Sequence, residues 1–260
     1  MSINLKNKKY IISAAGDGIG LEISKQIIKA GGKVFLSDID PIKIKKINKN
    51  KNYKNKIIAE CLDCTNVDEV KKYFKKIQNE KKIDGLINNV GIAGPTEYIE
   101  NINIDEWQTT INTNLNSHFY YTKFAIPLLK KSTKASIVNL SSTAGIYGFA
   151  QRSPYTASKW AIIGLTKTLA MELGKYKIRV NAICPGSVES DRMKRVVSAK
   201  AKLINKNPKN IKKEFESMVS LRTFVTKENI ASMALFLLSK DSENISGQII
   251  SVDGNTERMN

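Results

Sequence analysis

Ser13-Ala14-Ala15-Gly16-Asp17-Gly18-Ile19-Gly20 follows the apolar run Tyr10-Ile11-Ile12 and leads into a segment of helical apolar spacing, 18–30. A glycine-rich turn between a buried strand and a helix lets the backbone approach a pyrophosphate, which the free N–H groups and dipole of the helix N-terminus then hold. Asp17, Gly18, Ile19 and Gly20 are therefore the first candidate binding residues. Asp38 ends the next apolar run, 18 residues after Gly20, where a carboxylate accepts hydrogen bonds from the ribose hydroxyls of an adenosine. The same carboxylate repels a 2′-phosphate, so the expected dinucleotide is NAD rather than NADP. The plainer alternative for Asp38 is a cap for the helix opening at Pro41.

Outward from this turn, apolar runs of strand length (9–13, 33–37, 56–60, 84–87, 135–140, 179–183 and 248–252) alternate with helical patterns (18–30, 41–49, 67–79, 105–131, 153–173 and 227–239). Such alternation makes βαβ units, so the expected fold class is α/β, a doubly wound, mostly parallel, seven-stranded sheet with helices on both faces. No linker interrupts it, and residues 1–260 read as a single domain. One stretch, 189–222, breaks the rhythm, being long, basic and weakly periodic. Ligands of open α/β sheets sit at the carboxyl ends of strands, so an insertion there, 189–225, is an expected substrate-binding lid.

A chain of 260 residues with 42% hydrophobic residues can bury a full core, which excludes a disordered protein. No uncharged apolar run approaches the ~18 residues of a membrane span, so no membrane partner is expected. The net charge of +18 would by itself suggest nucleic acid, but only six of the 42 basic residues are arginine. The rest are lysines, often beside Asn and Ile as in 41–56, without interleaved aromatics or a recognition motif, so no nucleic-acid partner is expected. Three cysteines, an odd number, and no signal-like apolar run in 1–13 point to a cytoplasmic location. Cys61 and Cys64 form a C-x-x-C spacing without a second pair, which reads as small residues at a strand end, and no metal site is expected.

Tyr155 and Lys159 stand four apart on a helical pattern, so both project from one face. An unperturbed tyrosine titrates near ~10; a nearby ammonium stabilises the phenolate and brings it toward use as an acid/base at neutral pH. Ser142 lies 13 residues earlier, just past a strand, where its hydroxyl can reach the carbonyl that Tyr155 protonates. Asn114, mid-way along 105–131, could hold a water against Lys159 by bending that helix locally.

At this point the sequence resembles the classical short-chain dehydrogenases/reductases along essentially its whole length. The family pattern runs in order: the turn ending Gly18-Ile19-Gly20, Asp63, Asn88-Asn89-Val90-Gly91, Asn114, Ser141-Ser142, Tyr155-x-x-x-Lys159, and Arg179-Val180-Asn181-Ala182 leading to Pro185-Gly186. The resemblance implies a Rossmann-type domain with Asn114, Ser142, Tyr155 and Lys159 as catalytic tetrad. It further implies that Leu62 and Asp63 flank the adenine, that Asn89 lines the cofactor cleft, and that Val188 meets the nicotinamide carboxamide. The family habit is a homotetramer, or a dimer, built on the helices at 105–131 and 153–173. Ser13-Ala14 stand where the family has Thr-Gly, Val90 where it has Ala, and Ser190 where a Thr is frequent. If Ala14 needs positive φ, the turn is strained by about 1 kcal/mol or more.

The expected activity is NAD-dependent interconversion of an alcohol and a ketone or aldehyde, with Tyr155 as acid/base. An NADPH-dependent 3-oxoacyl-thioester reductase is the alternative within the enzymes, and a catalytically silent binding protein the alternative outside them. Arginine is scarce here and offers a planar fork for a carboxylate, sulfonate or phosphate, so Arg152, Arg192 and Arg195 are candidates to hold an anionic substrate. Their plain alternative is surface ion pairing, such as Arg192 with Asp191 or Glu189. His118 is expected to pack or lie at the surface, since the tetrad already supplies the acid/base; Met193 and Met218 are expected to line apolar space.

Overall fold

The computed structural model describes residues 3–258, so both ends of the single-domain expectation fall outside the described residues. Tyr10, Ile11 and Ile12 are wholly buried in strand β1 (Lys9–Ile12), because helices cover both faces of the sheet and the strand must be apolar on each. The other strands are β2 (Lys33–Asp38), β3 (Ile57–Cys61), β4 (Gly85–Asn88), β5 (Ala135–Leu140), β6 (Ile178–Pro185) and β7 (Ile249–Val252). All pair in parallel in the order β3-β2-β1-β4-β5-β6-β7. The order reverses between β1 and β4, and a crevice opens there at the carboxyl ends of the strands.

The helices are α1 (Gly18–Lys29), α2 (Pro41–Lys49), α3 (Val67–Ile77), α4 (Ile104–Ile111), α5 (Ser117–Leu129), α6 (Ser153–Gly174), α7 (Asp191–Leu203), α8 (Pro208–Ser217) and α9 (Lys227–Leu238). Successive strand residues point to opposite faces, which splits the core in two. Tyr10 and Ile12 pack with Ile23 and Ile27 of α1 and Ile230 and Ala234 of α9. Ile11 packs with Phe74 of α3, Tyr121 of α5 and Leu169 of α6.

Two sequence expectations are corrected. The segment 105–131 is not one regular helix: a π-helical turn, Asn112–Asn116, joins α4 to α5, with Asn114 fully buried at its centre. The 189–222 stretch, read as weakly periodic, holds two regular helices, α7 and α8, capped by Ser190 and by Asn207 ahead of Pro208. The two helices bury Val197, Ala201, Ile211, Phe215 and Met218 against one another, with Met193 partly buried beside them. Lysines crowding the outer faces obscured that period. Val188 and Val225 form an isolated parallel bridge where this insertion leaves and rejoins the fold: Glu189 N donates to Val225 O at 3.0 Å and Val225 N to Ser187 O at 2.9 Å. Among the described residues no helix is long and apolar enough to cross a membrane.

Candidate active site

The glycine-rich turn forms the floor of the crevice. Asn89, just past β4, fastens it: its Nδ2 donates to Ser13 O at 3.1 Å and Ala14 O at 2.8 Å, and its backbone N–H donates to Ser13 Oγ. Gly16 N–H donates to Asp38 Oδ2 at 2.8 Å, so close that a Cβ on Gly16 would meet the carboxylate at 2.8 Å. Gly18 takes φ +57 with open space around it, and Asp17 caps α1 by accepting from Gly18 N–H. The first-turn amides of Ile19 and Gly20 have no carbonyl to bond within the helix and stay available to an anion.

Ala14 does adopt positive φ, +50. A Cβ in the left-handed region costs about 1–2 kcal/mol, part of which glycine returns through its freer unfolded chain. Ala14→Gly is therefore expected to stabilise the protein by about 0.5–1 kcal/mol, read as a higher denaturation midpoint at unchanged slope.

Asp38 is not a helix cap; Asp40 caps α2, accepting from Ile42 and Lys43 N–H. The Asp38 carboxylate accepts from Gly16 and Asp40 N–H at 2.8 and 3.0 Å and keeps lone pairs on both oxygens. Leu62 N–H donates to Asp38 O at 3.0 Å, which brings Leu62 and Asp63 beside it at the ends of β2 and β3. The fit to a dinucleotide is thus good: a cradle too tight for side chains, free helix-end amides and a carboxylate with spare acceptors. Lys43 stands nearby, its Nζ 3.7 Å from Asp17 and 3.9 Å from Asp40.

Lys159 is buried on α6 and donates from Nζ to Leu140 O at 2.9 Å. Burial, with the Arg192 charge adding to it, pulls its pKa down to about 7. The Asn114 carboxamide is held in the π turn by Ile92 N–H (2.7 Å to Oδ1), Ile92 O and Ser158 Oγ. A Cβ on Gly91 would lie 3.3 Å from Lys159 Nζ and 3.5 Å from Asn114 Oδ1, so amide and ammonium converge on that glycine. Ser142 begins the turn after β5 and accepts from Ala144 N–H. Ser141 Oγ donates to Lys159 O at 2.8 Å, tying the end of β5 to α6. Lys159 Nζ is 5.7 Å from the Tyr155 ring centroid. Ser141 stands in the family pattern without a role of its own, and Ser158 escapes sequence reasoning; no chemistry marks a serine whose task is to place its neighbours.

His118 is wholly buried, not at the surface, with Nε2 3.0 Å from Val90 O. Burial and the Lys159 charge hold its pKa near about 3, so the ring is neutral. The arginines differ from one another. Arg152 is 3% exposed, donates to Thr96 Oγ1 and Ala93 O, and stands 5.2 Å from the Tyr155 ring centroid. Arg192 is not in the ion pair weighed for it, since Asp191 pairs with Lys194 at 2.9 Å while Arg192 donates across to Gly91 O. Arg195 is exposed on α7 and makes no described contact with Asn114, Ser142, Tyr155 or Lys159. Within the 189–225 insertion, Met193, Val197 and Phe224 line a cleft of about 310 Å³.

Comparison with known proteins agrees with this geometry. A family model described as Enoyl-(Acyl carrier protein) reductase matches residues 13–255. The chain is 32% identical over 254 residues to the 3-oxoacyl-[acyl-carrier-protein] reductase FabG of Thermotoga maritima, covering 97% of this chain and 98% of that protein. It is 29% identical over 252 residues to the D-beta-hydroxybutyrate dehydrogenase of Rhizobium meliloti, covering 95% and 97%. The NAD+-bound xylitol dehydrogenase superposes with TM-score 0.91 at 26% identity, covering 96% of this chain and 99% of that one. With a parallel seven-stranded sheet and a family match over residues 13–255, the chain belongs to the classical short-chain dehydrogenase/reductase family, whose members are oxidoreductases.

Proposed function

We propose that the protein is an NAD-preferring oxidoreductase that interconverts an alcohol and a ketone or aldehyde on a small anionic substrate. The observation that carries the reading is Tyr155 beside a buried ammonium with no carboxylate to neutralise it: Lys159 is held only by Leu140 O among its described hydrogen bonds. In the oxidation direction Tyr155 Oη takes the hydroxyl proton, and in reduction it returns one to the carbonyl oxygen. The Lys159 charge lowers the cost of the phenolate. Ser142 Oγ orients and polarises the substrate oxygen. Asn114 fixes the bend beside Lys159 and anchors the water that relays the proton to solvent. A nicotinamide cofactor, when bound, supplies the hydride acceptor. Asp17 to Gly20, Asp38, Leu62, Asp63, Asn89 and Val188 would hold it, together with Tyr155 and Lys159.

Asp38 supports NAD. A carboxylate facing ribose hydroxyls accepts two hydrogen bonds, whereas facing a 2′-phosphate it is repulsive. With a panel of alcohols scored by cofactor reduction, kcat/KM for NAD should exceed that for NADP at least ~10-fold, about 1.4 kcal/mol of discrimination. Equal use of the two would show that Lys43 outweighs Asp38. The FabG relative favours a second reading, a 3-oxoacyl-thioester reductase, and the same assay run backwards on an acetoacetyl thioester separates the two.

Two further parts of the reading have their own support. Ile104 and Trp107 on α4, Phe119 on α5, and Trp160 and Met171 on α6 are exposed apolar side chains on the elements through which a homotetramer or dimer would assemble. Cys64 and Cys184 are buried and unpaired and Cys61 is exposed and free, which suits the reducing cytoplasm.

A further inference from the structure

We infer that Arg192 is a positioning residue for the proton transfer: with the 189–225 insertion seated on Gly91, it holds a permanent positive charge beside Tyr155 and Lys159 that favours the deprotonated form of that pair; this rests on the oxidoreductase reading. Arg192 is the second residue of α7, and the start of that helix is fixed. Ser190 caps it, its Oγ accepting from Met193 N–H at 3.2 Å, two residues after the Val188–Val225 bridge. From there the side chain crosses the carboxyl edge of the sheet. The insertion leaves β6, whereas Gly91, whose carbonyl accepts from Arg192 Nη2, follows β4, and β5 lies between the two. Lys159 is fastened to Leu140 O, at the end of the strand that is crossed. A Cβ on Gly91 would lie 3.3 Å from Lys159 Nζ, so ammonium and guanidinium meet the same glycine.

The charge reaches both sides of the Tyr155 ring. Lys159 and Arg152, 5.7 and 5.2 Å from its centroid, each have the pKa lowered, chiefly by burial and further by Arg192. Nothing nearby offsets it among the described residues. Asp191, the neighbour on α7, pairs with Lys194 instead. His118 on α5 is neutral, its pKa near about 3, and Cys184 on β6 is pushed up to about 11 by burial and keeps its proton; Asp253, past β7, acts on that thiol. Tyr155 and Lys159 titrate as a coupled pair, and a fixed cation favours the loss of one proton whichever atom gives it up. A guanidinium stays charged at every working pH, so its effect does not fade as Lys159 titrates near about 7. A lysine at its ordinary value holds its proton through neutrality, whereas this one gives and takes a proton there, which a relay to solvent requires. Bringing like charges together costs stability. A mere brace between α7 and Gly91 would not need it, since an uncharged amide also bonds a carbonyl.

The test is the pH profile of kcat/KM for alcohol oxidation by the whole chain, compared with Arg192→Met and Arg192→Lys. Methionine keeps the length and loses the charge, so the acid limb should move to higher pH: at pH 6 the variant should fall at least ~3-fold below the parent, and at pH 9 the two should agree within ~2-fold. Lysine keeps the charge and should stay within ~2-fold of the parent at both values. Added salt should shrink the gap between parent and methionine variant at pH 6. A second readout needs no turnover. In the ligand-free protein with isotope-labelled lysine Cε, the nuclear magnetic resonance signal that is lost in Lys159→Met should titrate near neutral pH, and in Arg192→Met its midpoint should rise. A methionine variant that loses the same factor at every pH, a lysine variant as impaired as methionine at pH 6, or a Lys159 midpoint that does not move overturns the role of Arg192 and leaves the oxidoreductase reading standing. If no alcohol or ketone is turned over at all, that reading fails, and the Lys159 titration decides by itself whether the Arg192 charge acts there.

Discussion

Tyr155→Phe is expected to lower kcat by at least 10²–10⁴-fold, the range general acid/base catalysis supplies, while NAD affinity stays within a few-fold. The substitution removes the oxygen that carries the proton and leaves the ring in place. Lys159 and Arg152 still flank that ring, at 5.7 and 5.2 Å from its centroid, so the surrounding structure loses little. Steady-state kinetics paired with a fluorescence titration of NAD separate the two effects. Turnover within ten-fold of the parent would remove Tyr155 from the chemistry.

Lys159→Met should eliminate most activity and yet make the ligand-free protein more stable. The folded-state pKa of Lys159, about 7, lies below the 10.5 of a free lysine, so between those values the unfolded chain binds the extra proton. Stability of the parent therefore rises with pH across that window, and below pH 7 the full penalty of holding a buried ammonium is present. Methionine avoids the penalty at the loss of one hydrogen bond to Leu140 O. The variant should gain about 1–3 kcal/mol at pH 6, with the gain shrinking toward pH 9. Urea midpoints at the two pH values measure it. A variant less stable at pH 6 would mean that the ammonium is better solvated than its burial implies.

The order of strands and helices could be read from the chain because the central strands are buried on both faces and show as largely apolar runs, Tyr10-Ile11-Ile12 most plainly, while the edge strands β3 and β7 are only partly buried. The site residues were legible where chemistry fixes the spacing, as for Tyr155 and Lys159 one helical turn apart. What escaped was set by tertiary contacts. Lysine-rich outer faces hid α7 and α8, whose pairing shows through Val197 and Ala201 on one and Ile211 and Phe215 on the other, each pair four apart. The burial of Arg152 could not be foreseen, since an arginine in a basic chain reads as solvated and its acceptors, Ala93 O and Thr96 Oγ1, lie more than fifty residues away. Asp38 and Asp40 are equivalent as cap candidates until the backbone decides between them.

The bridge between Val188 and Val225 bears on how such a chain diversifies. Two backbone hydrogen bonds, Glu189 N to Val225 O and Val225 N to Ser187 O, close the insertion at its root without any side chain. Tyr155 and Lys159, the proposed catalytic residues on α6, and the turn at Ser13 lie outside that closure. A second set of backbone bonds, Ser220 N to Asn255 O and Leu221 N to Gly254 O, ties its far end to the C-terminal segment, so the stretch between these anchorages can change in length at a loop-closure cost that grows only logarithmically. New selectivity can then be acquired by exchanging α7 and α8 beyond Arg192, whose bond to Gly91 O and charge beside Lys159 belong to the proposed site and have to be kept.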